Sequence, residues 1–190
     1  MNKKVLGLVP LAIFILLSVF LYQGLFGNPR EIQTGRLGHN MPAFSLPDLM
    51  DEKKTWTDKE LQGEVYLLNV WGTWCPTCLA ELGYLTELKE KGVKIVGLYY
   101  DQAYDPDFGD KFDVVALREE VNNMLSRAGN PYAFNILDLN RSLALDLGVS
   151  GAPETFLVNK EGKILVHHTG DMNTRVWRAK FAPAIQELTP

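Results

Sequence analysis

Cysteine is scarce in this chain, with two in 190 residues. That excludes a small disulfide scaffold, which needs several bridges in place of a core. Both cysteines fall in one Cys-x-x-Cys, Cys75 to Cys78, and no second pair exists to complete the four ligands of a structural zinc site. Leu79 stands where a haem-attachment motif requires histidine. Basic excess is also missing: 19 Lys and Arg face 23 Asp and Glu, a net charge of −4, which argues against a nucleic-acid partner. No internal repeat is present, and the aspartate-rich stretch 101–113 lacks the ligand and glycine spacing of an EF-hand. That stretch is expected to be a solvated loop, with an acidic lip selecting a partner's charge as the sharper alternative.

The composition that remains, 46% apolar and 22% charged, is that of a globular protein. The informative segment is Trp71-Gly72-Thr73-Trp74-Cys75-Pro76-Thr77-Cys78. An apolar run from Val65 to Val70 leads into it, and a helical pattern from Pro76 to about Lys91 leads out. A cysteine pair between a buried strand and the first turn of a helix points to a thiol–disulfide redox site. Backbone N–H groups at a helix start are unpaired and partly positive, so a thiolate at Cys75 is stabilised and its pKa is expected to be lowered. Pro76 suits the first helical position, where its missing N–H costs nothing. Cys78, one turn deeper on the same face, is placed to resolve a mixed disulfide formed at Cys75. A zinc site or a purely structural bridge remain as alternatives, the latter closing too small a loop to stabilise much.

Residues 1–27 differ from the rest. Lys3 and Lys4 precede an uncharged run, Val5 to Phe26, which as a helix spans roughly 33 Å, enough for a bilayer core. A cleaved signal peptide competes, but its apolar region is usually about 7–15 residues and ends at a small-residue site, which Tyr22 to Gly27 does not offer. The expectation is therefore an uncleaved anchor with its helix at about 5–26, a linker over 28–40 and a folded domain over 41–190. The lysines stay cytoplasmic, and the domain lies outside the bacterial inner membrane, in the periplasm. There a lone reactive pair either oxidises substrates or is kept reduced by a dedicated donor.

Within the domain, residues 41–47 read as an edge strand or extended segment, and Thr57-Asp58-Lys59-Glu60 as a capping box opening a short helical turn. Strands follow at 64–71, 93–100, 134–137, 155–159 and 163–169. Helices fall at 76–91, 114–128 and 140–147, with a final one capped by Asn173 whose Trp177, Phe181, Ile185 and Leu188 form a core stripe. Leu82, Leu85 and Leu88 are expected in the core and Leu79 nearer the surface. The alternating strands and helices imply parallel pairing, and the last two strands a hairpin, giving an α/β fold with a mixed central sheet flanked by helices.

Together with Gly129-Asn130-Pro131-Tyr132 and Gly148-Val149-Ser150-Gly151-Ala152-Pro153-Glu154-Thr155-Phe156, the cysteine segment resembles the thioredoxin superfamily. More narrowly, it resembles the membrane-anchored thiol:disulfide interchange proteins of the DsbE/CcmG type. The resemblance implies a thioredoxin-like fold, a redox-active disulfide Cys75–Cys78, a cis-proline at Pro153 and no metal or cofactor. It also implies a substrate surface made by Trp74, Pro76, Thr77, Ala152 and Pro153, with Trp71 and Trp74 shaping an apolar rim. Many thioredoxins carry a buried aspartate six residues before the first cysteine; here that residue is Asn69. Glu81, three residues after Cys78, and Glu154, beside Pro153, are the acid–base candidates in its place. His167 and His168 are adjacent on a strand, point to opposite faces and are expected to be structural. Gly72 stands where a peroxiredoxin wants Thr or Ser.

The function implied is a periplasmic oxidoreductase that reduces apocytochrome c or a maturation protein bound to it, and is itself re-reduced by a membrane thiol donor of the DsbD type. A general periplasmic thiol reductase and a copper chaperone or assembly adaptor are the alternatives.

Overall fold

A computed structural model describes residues 3–26, 36–102, 104 and 111–188. Most of the expected linker, and residues 103 and 105–110 of the acidic stretch, lie outside the described residues. The chain divides into two compact units, Met1–Glu31 and Ile32–Pro190. Among its described residues the first holds one helix, α1 (Lys3–Phe26), with Pro10 inside it. It coincides with the segment expected as an anchor. Among the described residues no helix is long and apolar enough to cross a membrane.

The second unit is built on a five-stranded sheet of β3 (Tyr66–Trp71), β4 (Ile95–Tyr99), β5 (Phe134–Leu137), β6 (Glu154–Val158) and β7 (Ile164–Thr169), in the order β5-β4-β3-β6-β7. Strands β3, β4 and β5 run parallel, while β6 is antiparallel to both β3 and β7. Helices α2 (Pro76–Glu90), α3 (Val114–Ala128) and α4 (Ser142–Asp146) make the crossovers. A separate hairpin of β1 (Ser45–Pro47) and β2 (Thr55–Thr57) precedes them. The capping box is formed: Thr57 and Glu60 bond each other's backbone N–H at the start of a 3₁₀ turn, Asp58–Leu61.

The central strand is buried on both faces, and its two-residue period decides which side chains meet. Tyr66, Leu68 and Val70 pack with Phe156, Ile136, Leu143 and Leu147 on one face. Leu67 and Trp71 pack with Leu82, Leu85 and Leu88 of α2 and Leu117, Val121 and Leu125 of α3 on the other. Asn69 shares the parity of Leu67 and Trp71, so a polar side chain is delivered under α2.

One strand has no counterpart among the expected elements, and one expectation needs correction. Strand β2 hides in a charged stretch; Trp56 holds it in place by stacking on Phe134, with ring centroids 3.5 Å apart, and by donating to Asp48 at 2.7 Å. The last helix is not continuous. A short α5 (Thr174–Val176) passes into a π turn, Trp177–Phe181, and then α6 (Ala182–Gln186). Pro183 has no amide hydrogen for the Ala179 carbonyl, and the turn before it widens. The stripe is displaced as a result: Phe181 is fully buried, Val176 and Met172 join it, and Trp177, Ile185 and Leu188 stay half-buried.

Candidate active site

Cys75 caps the N-terminus of α2 with extended backbone (φ −104°, ψ 103°), and Pro76 occupies the first helical position. Its Sγ accepts the backbone N–H of Cys78 at 3.1 Å and is joined to Cys78 in a disulfide. Both residues are buried, 4% and 1% exposed, while Pro76, Thr77 and Leu79 are open to solvent. The N–H that meets Sγ is one a helix start leaves unpaired, so negative charge on this sulfur in the dithiol state has a donor waiting.

Across from the sulfur lies the loop from Ser150 to Pro153. The Ala152–Pro153 bond is cis, and the Ala152 carbonyl oxygen is 3.4 Å from Cys75 Sγ. Ser150 is exposed, Gly151 and Ala152 are half-buried, and Pro153 is buried. Gly170 N–H donates to the Pro153 carbonyl at 2.9 Å. The third wall is Trp74, half-buried, which donates Nε1–H to the Tyr100 carbonyl at 2.8 Å and meets that ring edge-on. Gly72 makes this fold-back possible: a Cβ there would sit 2.2 Å from Trp74 Nε1. Trp71, expected at the rim, lies wholly inside the core, where it donates to Asn135 and stacks on Tyr132. Strand parity turns it under α2, away from the surface.

The two candidate carboxylates differ in kind. Glu81 is 2% exposed and faces the same side of α2 as Cys78. Asn69 Nδ2 donates to its Oε1 at 2.9 Å, and Met172 N–H to its Oε2 at 2.5 Å. Burial pushes its pKa from 4.5 to about 7; the bonds from Met172 and Asn69 oppose the rise and Asp171 adds to it. Such a group loses and regains a proton near neutrality. Asn69 is itself fully engaged, donating to Thr155 Oγ1 at 3.1 Å and accepting from Tyr132 Oη at 2.8 Å. The residue that replaces the usual aspartate therefore orients a carboxylate supplied from α2.

Glu154, the first residue of β6, is 0% exposed. Its Oε1 accepts from Ser150 N–H (2.8 Å), Ser150 Oγ (2.6 Å) and Gly151 N–H (3.1 Å), and its Oε2 lies 2.7 Å from His167 Nε2. Burial alone would raise its pKa, but the bonds from His167 and Ser150 outweigh it and hold the carboxyl below the usual range. This is a fixed charge at the base of the loop. His167 stacks on Phe156, whereas His168 lies 3.3 Å from the Asp171 carbonyl and 3.3 Å from Lys180 Nζ. Among the described residues no three His, Cys, Asp or Glu side chains gather as metal ligands.

The sequence reading missed Thr155, Met172 and the hydroxyl of Tyr132 as parts of this site. Tyr132 closes the Gly129–Tyr132 motif, but nothing local ties it to residue 69.

Known proteins place this geometry. The family described as Redoxin matches residues 36–184. The thiol:disulfide interchange protein DsbE of Pseudomonas aeruginosa is 40% identical over 186 residues, 98% of this chain and 96% of its own. DsbE of Escherichia coli K12 is 39% identical over 189 residues, covering 96% and 94%. The crystal structure of a secreted thiol-disulfide isomerase from Corynebacterium glutamicum superposes with a TM-score of 0.59 at 19% identity, over 77% of this chain and 85% of its own, which speaks for the fold. With the disulfide at a helix N-terminus and a cis-proline loop against it, the thioredoxin-like chain belongs to the Redoxin family and, within it, to the DsbE-type thiol:disulfide interchange proteins, and is a disulfide oxidoreductase.

Proposed function

We propose that this oxidoreductase is tethered to the bacterial inner membrane by residues 5–26, works in the periplasm, and reduces the haem-binding cysteines of apocytochrome c during its maturation. The observation that carries the reading is Cys75 Sγ, held by the Cys78 N–H and facing the Ala152 carbonyl of a half-exposed loop. Supporting the tether are Lys3 and Lys4 ahead of the uncharged run Val5 to Phe26.

In the reduced state Cys75 thiolate attacks one sulfur of the substrate disulfide. That S–S bond breaks, a mixed disulfide forms, and one substrate cysteine leaves as thiolate. Cys78 then gives its proton to Glu81 and attacks Cys75 Sγ. The second substrate cysteine leaves, and two electrons have passed from the enzyme dithiol to the substrate. Glu81 returns the proton to a departing thiolate. Re-reduction comes from a membrane thiol donor of the DsbD type. Trp74, Pro76, Thr77, Ala152 and Pro153 form the surface against which the substrate lies.

Substrate trapping with Cys78→Ser tests the reading. This variant forms the mixed disulfide but cannot resolve it, so apocytochrome c or its maturation partners are expected in the captured set, while Cys75→Ser captures nothing. Capture of unrelated periplasmic proteins alone would make it a general reductase. The reduction potential gives the direction of flow: a value below about −200 mV marks an electron donor, and one near about −120 mV an oxidant, which would reverse the proposed reaction.

A further inference from the structure

Glu154 and His167 together form a buried hydrogen-bonded pair that grips the loop from Ser150 to Pro153 from behind. Among the described residues the hydrogen bonds to Glu154 Oε1 come from the loop, from Ser150 and Gly151. Its Oε2 is held from the other side by His167 Nε2 at 2.7 Å. His167 pairs with Phe156 across β6 and β7 and lies flat on its ring, with centroids 4.3 Å apart and planes at 15°. Phe156 is itself fully buried, so the imidazole plane is fixed by packing. Strand β7 thus reaches the loop twice, through His167 and Glu154 at Ser150–Gly151, and through the following turn, where Gly170 N–H bonds the Pro153 carbonyl. Between these two anchors sits the Ala152 carbonyl, 3.4 Å from Cys75 Sγ.

We infer that His167 is a positioning residue for disulfide exchange: by orienting Glu154 it fixes the Ser150–Ala152 loop, and so sets how well a polypeptide disulfide is held at Cys75. A polypeptide whose sulfur reaches Cys75 lies against this loop, which is exposed at Ser150 and half-buried at Gly151 and Ala152. A small disulfide reagent reaches the sulfur without needing it. The carboxylate keeps its charge in this arrangement, which separates Glu154 from proton transfer and leaves that role to Glu81. Removing the imidazole donor leaves a buried carboxylate oxygen short of its partner, and the carboxylate is then free to rotate away from the loop amides. The inference rests on exchange at Cys75 and Cys78 and not on the identity of the natural substrate.

The test uses the full chain in detergent, with dithiothreitol as reductant, insulin as the polypeptide disulfide and 5,5′-dithiobis(2-nitrobenzoate) as the small one. Insulin has no kinship with cytochromes, so an error in the cytochrome assignment leaves the result untouched. His167→Leu is expected to raise KM for insulin about tenfold, the scale of one lost charge-assisted hydrogen bond, with kcat and the rate on the small disulfide within about twofold of wild type. His167→Gln, which keeps an N–H donor, is expected to restore KM. An unchanged KM, or equal losses on both substrates, overturns the inference. If His167→Leu does not fold, Ser150→Ala at the exposed loop position carries the test. A several-fold rise in KM on insulin alone supports the inference, and no change overturns it.

Discussion

Replacing Glu81 by glutamine should change the pH dependence of stability more than stability itself. Between pH 4.5 and about 7 the folded chain holds a proton on Glu81 that the unfolded chain has released. Stability falls wherever the folded state binds more protons than the unfolded state, so it should decline across that window as pH rises. The loss amounts to about 3 kcal/mol, at 1.36 kcal/mol for each pH unit between the two pKa values. It is complete by pH 8, where the folded protein carries an ionised carboxylate in its core. Glutamine does not titrate. It keeps one oxygen for Asn69 Nδ2 but turns an NH₂ toward the Met172 N–H, at a pH-independent cost of roughly 1–3 kcal/mol. The variant should therefore be the weaker protein at pH 4.5 and match or exceed wild type at pH 8. Urea unfolding of the oxidised full-length chains in detergent, followed by tryptophan fluorescence from pH 4.5 to 8, measures both curves. A difference that stays constant across this range would refute the assignment of a near-neutral pKa to Glu81, and with it the proposed proton transfer from Cys78 to Glu81.

Tyr132→Phe removes the donor to Asn69 Oδ1 and should cost about 1–2 kcal/mol in the same unfolding assay, while moving the pH profile of disulfide exchange through its effect on Glu81. Gly97→Ala brings a Cβ to 1.9 Å from Asn135 Oδ1 and 2.8 Å from Trp71 Nε1; forcing apart that buried hydrogen bond should destabilise by about 1–3 kcal/mol, read as a lower urea midpoint. Phe181→Ala empties a fully buried site beneath the π turn and should cost about 3–5 kcal/mol. Glu154→Gln should act opposite in sign to Glu81→Gln. The depressed pKa of Glu154 contributes stability above the ordinary carboxylate range that is lost as pH falls through its folded pKa, so the variant should lose that acid-side dependence.

Where side chains interact with near neighbours in sequence, the chain announces its structure. Helix α3 runs from Val114 to Ala128 as its periodicity implies, and Gly129 with φ 101° stops it. Strand β5, the capping box at Thr57 and the placement of Cys75 at a helix start follow the same logic. The polar interior of the site is different. Asn69 meets Thr155 and Tyr132, and Glu81 meets Met172, across 63 to 91 residues of sequence. No local pattern records such pairings. Read alone, Asn69 looks like the loss of a proton carrier; its position under α2, fixed by strand parity, makes it the donor that holds one. The short strand β2 was hidden for a related reason, because its stability comes from Trp56 stacking on a distant Phe134.

The fold-back of Trp74 over Gly72 also constrains how this protein can change. A hydroxyl-bearing residue at position 72, of the kind a peroxide-reducing relative would use, cannot be acquired alone, because its Cβ would collide with the indole 2.2 Å away. Nor does shrinking Trp74 first offer an easy path, since that step opens the wall beside the cysteines before any new chemistry exists to be selected. The two positions are sterically coupled, since what fits at 72 depends on where the Trp74 ring lies. A side chain at position 72 therefore has to arrive together with a new place for the Trp74 ring.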